Sequence, residues 1–172
     1  MPDTATLHET PAGPQLRFTR RLHHPPAKVW RAITEPEHLK AWFPDTIEVT
    51  RWEPGATLHF RHEGGLYDFS GEVIAVEPEK ALEFTWGPDI IRLELEPDGE
   101  GTQLILHDTL ESVGKAARDG AGWHVCLDEL IHHLDGTTPT GASSDRWRAV
   151  HPGYVEALGP EAATIGPPEG AI

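Results

Sequence analysis

The residues best suited to chemistry are eleven histidines and a single cysteine. The histidines do not fall into ligand spacing. His23-His24 and His132-His133 are adjacent pairs, whose side chains diverge on a helix or a strand. His59 and His62 lie three apart in a strand-like run, which sends them to opposite faces. There is no HExxH, and a closed zinc site needs four converging ligands. No metal site and no cofactor are expected. Cys126 and His124 are two apart, about 200° around a helix, too far to form a nucleophile–base pair. Cys126 sits in an apolar stripe, where a free thiol packs as a small hydrophobe. No GxSxG, P-loop or GxGxxG pattern is present.

His124 remains, at the margin of that stripe. It has two readings. It stands at the rim of a sheet–helix cavity, with Asp108 at a strand end orienting it, or it is a helix-face histidine paired with Asp128 four residues on. The second is favoured. His124 and Asp108 are therefore weak catalytic candidates, and none is firm.

These residues depend on the elements around them. Leu16, Phe18 and Leu22 alternate with polar residues in strand style. Pro25-Pro26 ends that strand, and two short helices follow over 27–34 and 37–42. Six strands come next, 47–52, 57–62, 67–76, 81–86, 90–96 and 102–108, separated by turn signals such as Glu53-Pro54-Gly55, Gly64-Gly65 and Pro97-Asp98-Gly99. Leu82, Phe84 and Trp86 share one face, as do Ile91, Leu93 and Leu95. A long helix follows. Trp123, Cys126, Leu127, Leu130, Ile131 and Leu134 fall within about 140° of one another, with Gly120 on the same stripe. Gly120 and Gly122 place the regular start near Ala121, and Gly136 supplies the stop. Residues 146–158 carry Trp147, Val150, Tyr154 and Leu158 at helical spacing, interrupted by Pro152-Gly153.

The fold class is α+β: a curved antiparallel sheet of about seven strands around a long C-terminal helix, with two short helices after the first strand. The expected organisation is a flexible leader over 1–14, one domain over 15–136, then a linker, short helix and flexible tail over 137–172.

In this order the pieces resemble the START-like (SRPBCC) helix-grip superfamily, shared with the birch-pollen allergen. More narrowly they resemble bacterial single-domain homologues of the activator of the 90-kDa heat-shock chaperone ATPase. The carrying residues are Pro26-Ala27, Val29-Trp30, Ala32-Ile33-Thr34, Pro36-Glu37, Leu39, Trp42-Phe43, Gly71-Glu72-Val73, Leu82-x-Phe84-x-Trp86, Gly101-Thr102-x-Leu104 and Gly122-Trp123-x-x-x-Leu127-x-x-Leu130. The resemblance spans about 16–135.

The 172 residues carry 14 basic and 28 acidic side chains, a net charge of −14 that disfavours nucleic acid and anionic membrane as partners. No signal peptide or membrane span is visible, and one cysteine suits a reducing, cytoplasmic setting. The favoured function is binding of a small apolar or amphipathic molecule between sheet and helix, by Trp52, Phe84, Trp86, Asp108, Gly120, Trp123, His124 and Leu127. The resemblance implies two alternatives. One is interaction with a chaperone or another protein. The other is a polyketide-cyclase-like enzyme using His124 and Asp108. Binding without catalysis is favoured.

Overall fold

The computed structural model describes residues 3–62 and 68–166. The Gly64-Gly65 turn and the expected strand start at Tyr67 lie outside the described residues.

Eight strands form one antiparallel sheet: β1 (Thr6–Thr10), β2 (Gly13–Leu22), β3 (Asp45–Val49), β4 (Thr57–His62), β5 (Asp68–Glu77), β6 (Ala81–Trp86), β7 (Asp89–Asp98) and β8 (Gly101–Thr109). Their spatial order is β1-β2-β8-β7-β6-β5-β4-β3. After β2 the chain leaves the sheet through α1 (Pro26–Thr34) and α2 (Pro36–Leu39) and returns as β3 at the far edge. Hairpins then carry it back until β8 lies between β7 and β2. The architecture is helix-grip. The sheet curves around α3 (Ala116–Asp135), and α4 (Ser143–Leu158) packs on α3.

Period-two patterning decides which face is buried. Ile91, Leu93 and Leu95 are buried, as are Leu82 and Phe84 beside them and Leu104 and Leu106 on β8. The opposite face carries Arg92, which reaches both Glu83 and Glu94, and His107, 2.5 Å from Glu94. Cross-strand register places Arg92 opposite both Glu83 and His107. The short helices are tied in by indoles. Trp42 Nε1 donates to the Ala32 carbonyl at 2.9 Å, and Trp52 Nε1 donates to the Thr34 carbonyl at 2.8 Å. These bonds satisfy carbonyls in the last turn of α1, which have no partner within the helix.

Three expectations need correction. The leader is not loose throughout, because Thr6–Thr10 pairs with β2 and makes the eighth strand. Leu7 alone among those five residues is a large hydrophobe, so the pairing comes from the neighbouring strand and not from an apolar pattern. The long helix starts at Ala116 and runs unbroken through Gly120 and Gly122. Last, residues 143–158 form one sixteen-residue helix with Pro152 inside it. Tyr154, at 0% exposure, anchors that helix, and Ala162 just beyond it is also buried.

Candidate functional site: an aromatic cleft backed by buried carboxylates

Phe43, at the end of the α1–α2 excursion, stands at the centre of the sheet–helix layer. Its ring lies 5.6 Å from Trp123, 5.9 Å from Trp86, 6.0 Å from Phe84 and 6.2 Å from Phe60, centroid to centroid. Trp86 and Trp123 meet edge to face at 5.3 Å. Each indole N–H needs an acceptor once buried. Trp86 Nε1 donates to Asp45 Oδ2 at 2.9 Å, and Asp45 Oδ1 also meets His62 Nδ1 at 3.0 Å. Trp123 Nε1 donates to Asp108 Oδ2 at 2.9 Å.

At this end of the layer a cleft of about 290 Å³ opens between β5, the β6–β7 turn and the start of α3, lined by Phe69, Trp86, Pro88, Lys115, Arg118 and Asp119 among others. Behind it Asp89, Asp108 and Asp119 each bring a carboxylate oxygen to within 4.8 Å of the other two. Donors fix the outer pair. Lys115 Nζ lies 2.7 Å from Asp89 Oδ1, which also accepts the Glu111 backbone N–H at 3.0 Å. Arg118 Nε donates to Asp119 Oδ1 at 2.7 Å. Asp108 is fully buried, and its Oδ1 has no hydrogen-bond partner among the described residues. Burial first, then the charges of Asp89 and Asp119, hold its carboxyl well above the usual carboxylate range. Burial raises Asp119 as well. Lys115 and Arg118 supply two cations to the three carboxylates.

The expected binding residues do not share one site. Trp86 lines the cleft, and Trp123 and Asp108 are buried behind it. Phe84 and Leu127 are core, 1% exposed each. Trp52 packs on Phe84 at 5.9 Å and holds the end of α1. Gly120 and His124 face α4. A Cβ on Gly120 would lie 2.9 Å from Tyr154 Cδ1, so this glycine makes room for the tyrosine ring, and a larger residue there would push on α4. His124 Nδ1 is 2.8 Å from the Tyr154 hydroxyl, and its Nε2 is 3.9 Å from Asp128. Asp108 therefore does not orient His124: one bonds Trp123 on the sheet side, the other Tyr154 on the α4 side. Val125 on the same helix is also buried.

The other reactive groups are quiet or paired. Burial pushes the Cys126 thiol up to about 12, where almost no nucleophilic thiolate exists at neutral pH. The histidines make small polar contacts: His24 lies 2.7 Å from Asp135 and 3.2 Å from Lys28 Nζ, and His38 Nδ1 lies 2.8 Å from His133 Nε2 and its Nε2 3.3 Å from Glu35. Asp89, Lys115 and Asp119 were not singled out from the sequence. Asp89 reads as a turn residue after Gly87-Pro88, and a buried ion pair leaves no periodic signal.

Burial lowers both His124 and His133, the latter also through His38 and Lys28. A folded value below the unfolded one, near 6.5, means that this contribution to stability is present above 6.5 and is lost as pH falls through the folded values. The raised carboxyls of Asp108 and Asp119 work in the opposite sense over the same range. The histidine contribution is therefore read as a difference: the urea midpoint at pH 5 relative to that at pH 7.5 should be higher in His133→Gln than in wild type, and identical pH responses of the two proteins would contradict the assignment.

Residues 23–135 match the model of the family described as Activator of Hsp90 ATPase homolog 1-like protein. The chain belongs to this family. Solved structures agree on the fold. The conserved protein of unknown function EF2215 from Enterococcus faecalis is 23% identical, with 90% of each chain covered and a TM-score of 0.72. CalU16 from Micromonospora echinospora is 24% identical, with 90% of this chain and 95% of that one covered and a TM-score of 0.71. The BPP1335 protein from Bordetella parapertussis is 27% identical over 81% of this chain and 84% of that one, with a TM-score of 0.67. No curated protein matches the chain. The family match ends just before α4, so α4 and its contact with Gly120 and His124 lie outside the matched region. No helix among the described residues is long and apolar enough to cross a membrane.

Proposed function

We propose that this family member binds a small amphipathic molecule at the mouth of its sheet–helix layer. The observation that carries the reading is the cleft itself: Trp86 and Phe69 offer aromatic surface, and Lys115, Arg118 and Asp119 converge on the same 290 Å³. Small-molecule sites combine mostly apolar walls with a few placed polar groups in this way. A flat ring against Trp86 fits the space. Nothing in the arrangement requires a bond to be made or broken, and binding is the function it supports best.

The test uses N,N-dimethyl-2-naphthylamine, whose emission reports an apolar environment. It should bind at one saturable site, and Trp86→Ala should weaken that binding about tenfold, the order of an aromatic contact plus its buried area. The variant must first be shown folded by circular dichroism. Unsaturable binding, or equal affinity in the folded variant, would sink the proposal.

A second reading rests on the family match over 23–135: stimulation of a 90-kDa chaperone ATPase. It predicts a raised ATP turnover when the chain is added to the chaperone from the same source.

A further inference from the structure

We infer that Arg118 is the ligand-selecting donor of the cleft, and that the amphipathic molecule bound against Trp86 is a neutral planar aromatic compound with a carbonyl on its ring: an aryl ketone, ester or amide. The inference rests on the binding reading above and names the ligand class.

The other side-chain donors at the cleft are directed elsewhere. Trp86 Nε1 donates to Asp45, and Lys115 Nζ lies on Asp89. Arg118 uses only its Nε, which donates to Asp119 Oδ1 at 2.7 Å. Neither Nη1 nor Nη2 has a partner among the described residues, and the side chain, which lines the cleft, is 27% exposed. A guanidinium is a rigid fork of five N–H donors with no acceptor. With Nε held, its outer edge presents Nη1 and Nη2 side by side. A group that meets this edge must accept hydrogen bonds, and a carbonyl oxygen has two lone pairs to offer. The donor is also set in advance. Asp119 holds the side chain, and the Arg118 carbonyl accepts Trp147 Nε1 of α4 at 3.3 Å. Such preorganisation lowers the entropy cost of binding.

Walls and charge decide the rest of the ligand. Trp86 meets Trp123 edge to face at 5.3 Å, and Phe69 stacks on Phe60 at 4.9 Å, so both aromatic walls are braced from behind. A flat ring suits them. Lys115 with Asp89 and Arg118 with Asp119 are two matched pairs, so the cleft's own charges balance. The chain as a whole carries −14. An anion would meet no unmatched cation in the cleft and a repulsive field outside it, which favours a neutral acceptor over a carboxylate.

Three naphthalenes test this, each read by displacement of N,N-dimethyl-2-naphthylamine. 2-Acetylnaphthalene carries the carbonyl, 2-ethylnaphthalene has nearly the same outline without an acceptor, and 2-naphthoate carries a negative charge. In the wild-type protein the ketone should bind about tenfold more tightly than the hydrocarbon, the effect of one hydrogen bond to a charged donor. Naphthoate should bind more weakly than the ketone. Arg118→Met should bring the ketone down to the affinity of the hydrocarbon. Trp86→Ala should weaken ketone and hydrocarbon alike and keep their ratio. Both variants are first shown folded by circular dichroism. If Arg118→Met does not fold, the wild-type complex decides: the carbonyl stretch of isotope-labelled 2-acetylnaphthalene should lie at lower frequency when bound than in hexane.

Equal wild-type affinities for ketone and hydrocarbon, or an unshifted carbonyl band, overturn the donor role and leave the cleft intact. A ketone preference that survives in folded Arg118→Met overturns the assignment to Arg118. Naphthoate as the tightest of the three overturns the neutral class. Failure of the displaced dye to bind saturably overturns the binding reading itself.

Discussion

Tyr154→Ala should cost about 3–5 kcal/mol of folding free energy, the usual range for emptying a large aromatic site in a core. Tyr154 is fully buried although it lies beyond the residues that match the family model. Its ring fills the space left by Gly120 and packs 6.4 Å from Phe18 on β2. Its hydroxyl meets His124 Nδ1 and accepts the Ala5 N–H at 3.3 Å. Removing the side chain strands both partners and frees α4 from α3. Tyr154→Phe separates the contributions: the ring stays, only the hydroxyl contacts go, and the cost should fall to about 1–3 kcal/mol. Urea unfolding measures both. A Tyr154→Ala protein as stable as wild type would mean that α4 does not dock as described.

The second large effect belongs to Phe43→Ala, again about 3–5 kcal/mol. This ring is the common neighbour of Trp42, Trp86, Trp123, Phe60 and Phe84. Its loss opens a hole from the core toward the cleft. The surrounding indoles make the effect visible, because Trp42, Trp86 and Trp123 all lose a ring contact and their emission should shift with the unfolding midpoint. An unchanged midpoint and unchanged emission would show that the layer can collapse around the missing ring, contrary to its close packing.

Most of the sheet was legible because one face is buried and the other wet. Leu82-Glu83-Phe84 and Ile91-Arg92-Leu93 announce β6 and β7, and observed boundaries differ from the reading by at most two residues there. The failures have separate causes. β1 has little apolar content, so its existence depends on a vacant edge of β2. Gly120 carries a helix penalty of about 1 kcal/mol relative to alanine, yet its lack of a side chain admits Tyr154, a benefit that appears only when α4 is in place. Pro152 signals a break, but α4 continues through it. Of the cleft residues, Trp86 was legible from strand parity, while Trp123 and Asp108, read from stripe and parity, stand behind the cleft. Lys115, Asp89 and Asp119 were not legible, since charged residues are ordinarily solvated and nothing in the sequence distinguishes a pair that is buried.

The hydrogen bond from Ala5 to Tyr154 joins positions 149 residues apart. During synthesis β2 waits for β8, its sheet partner, and the tyrosine that meets Ala5 emerges later still. Non-local pairings of this length slow folding, because chain closure costs entropy before any contact repays it. The β1–β2 region therefore lacks these contacts until α4 has been made. Tyr154 then acts as a closing latch, and a nascent chain stopped short of α4 would expose the Gly120–His124 face to chaperones and proteases.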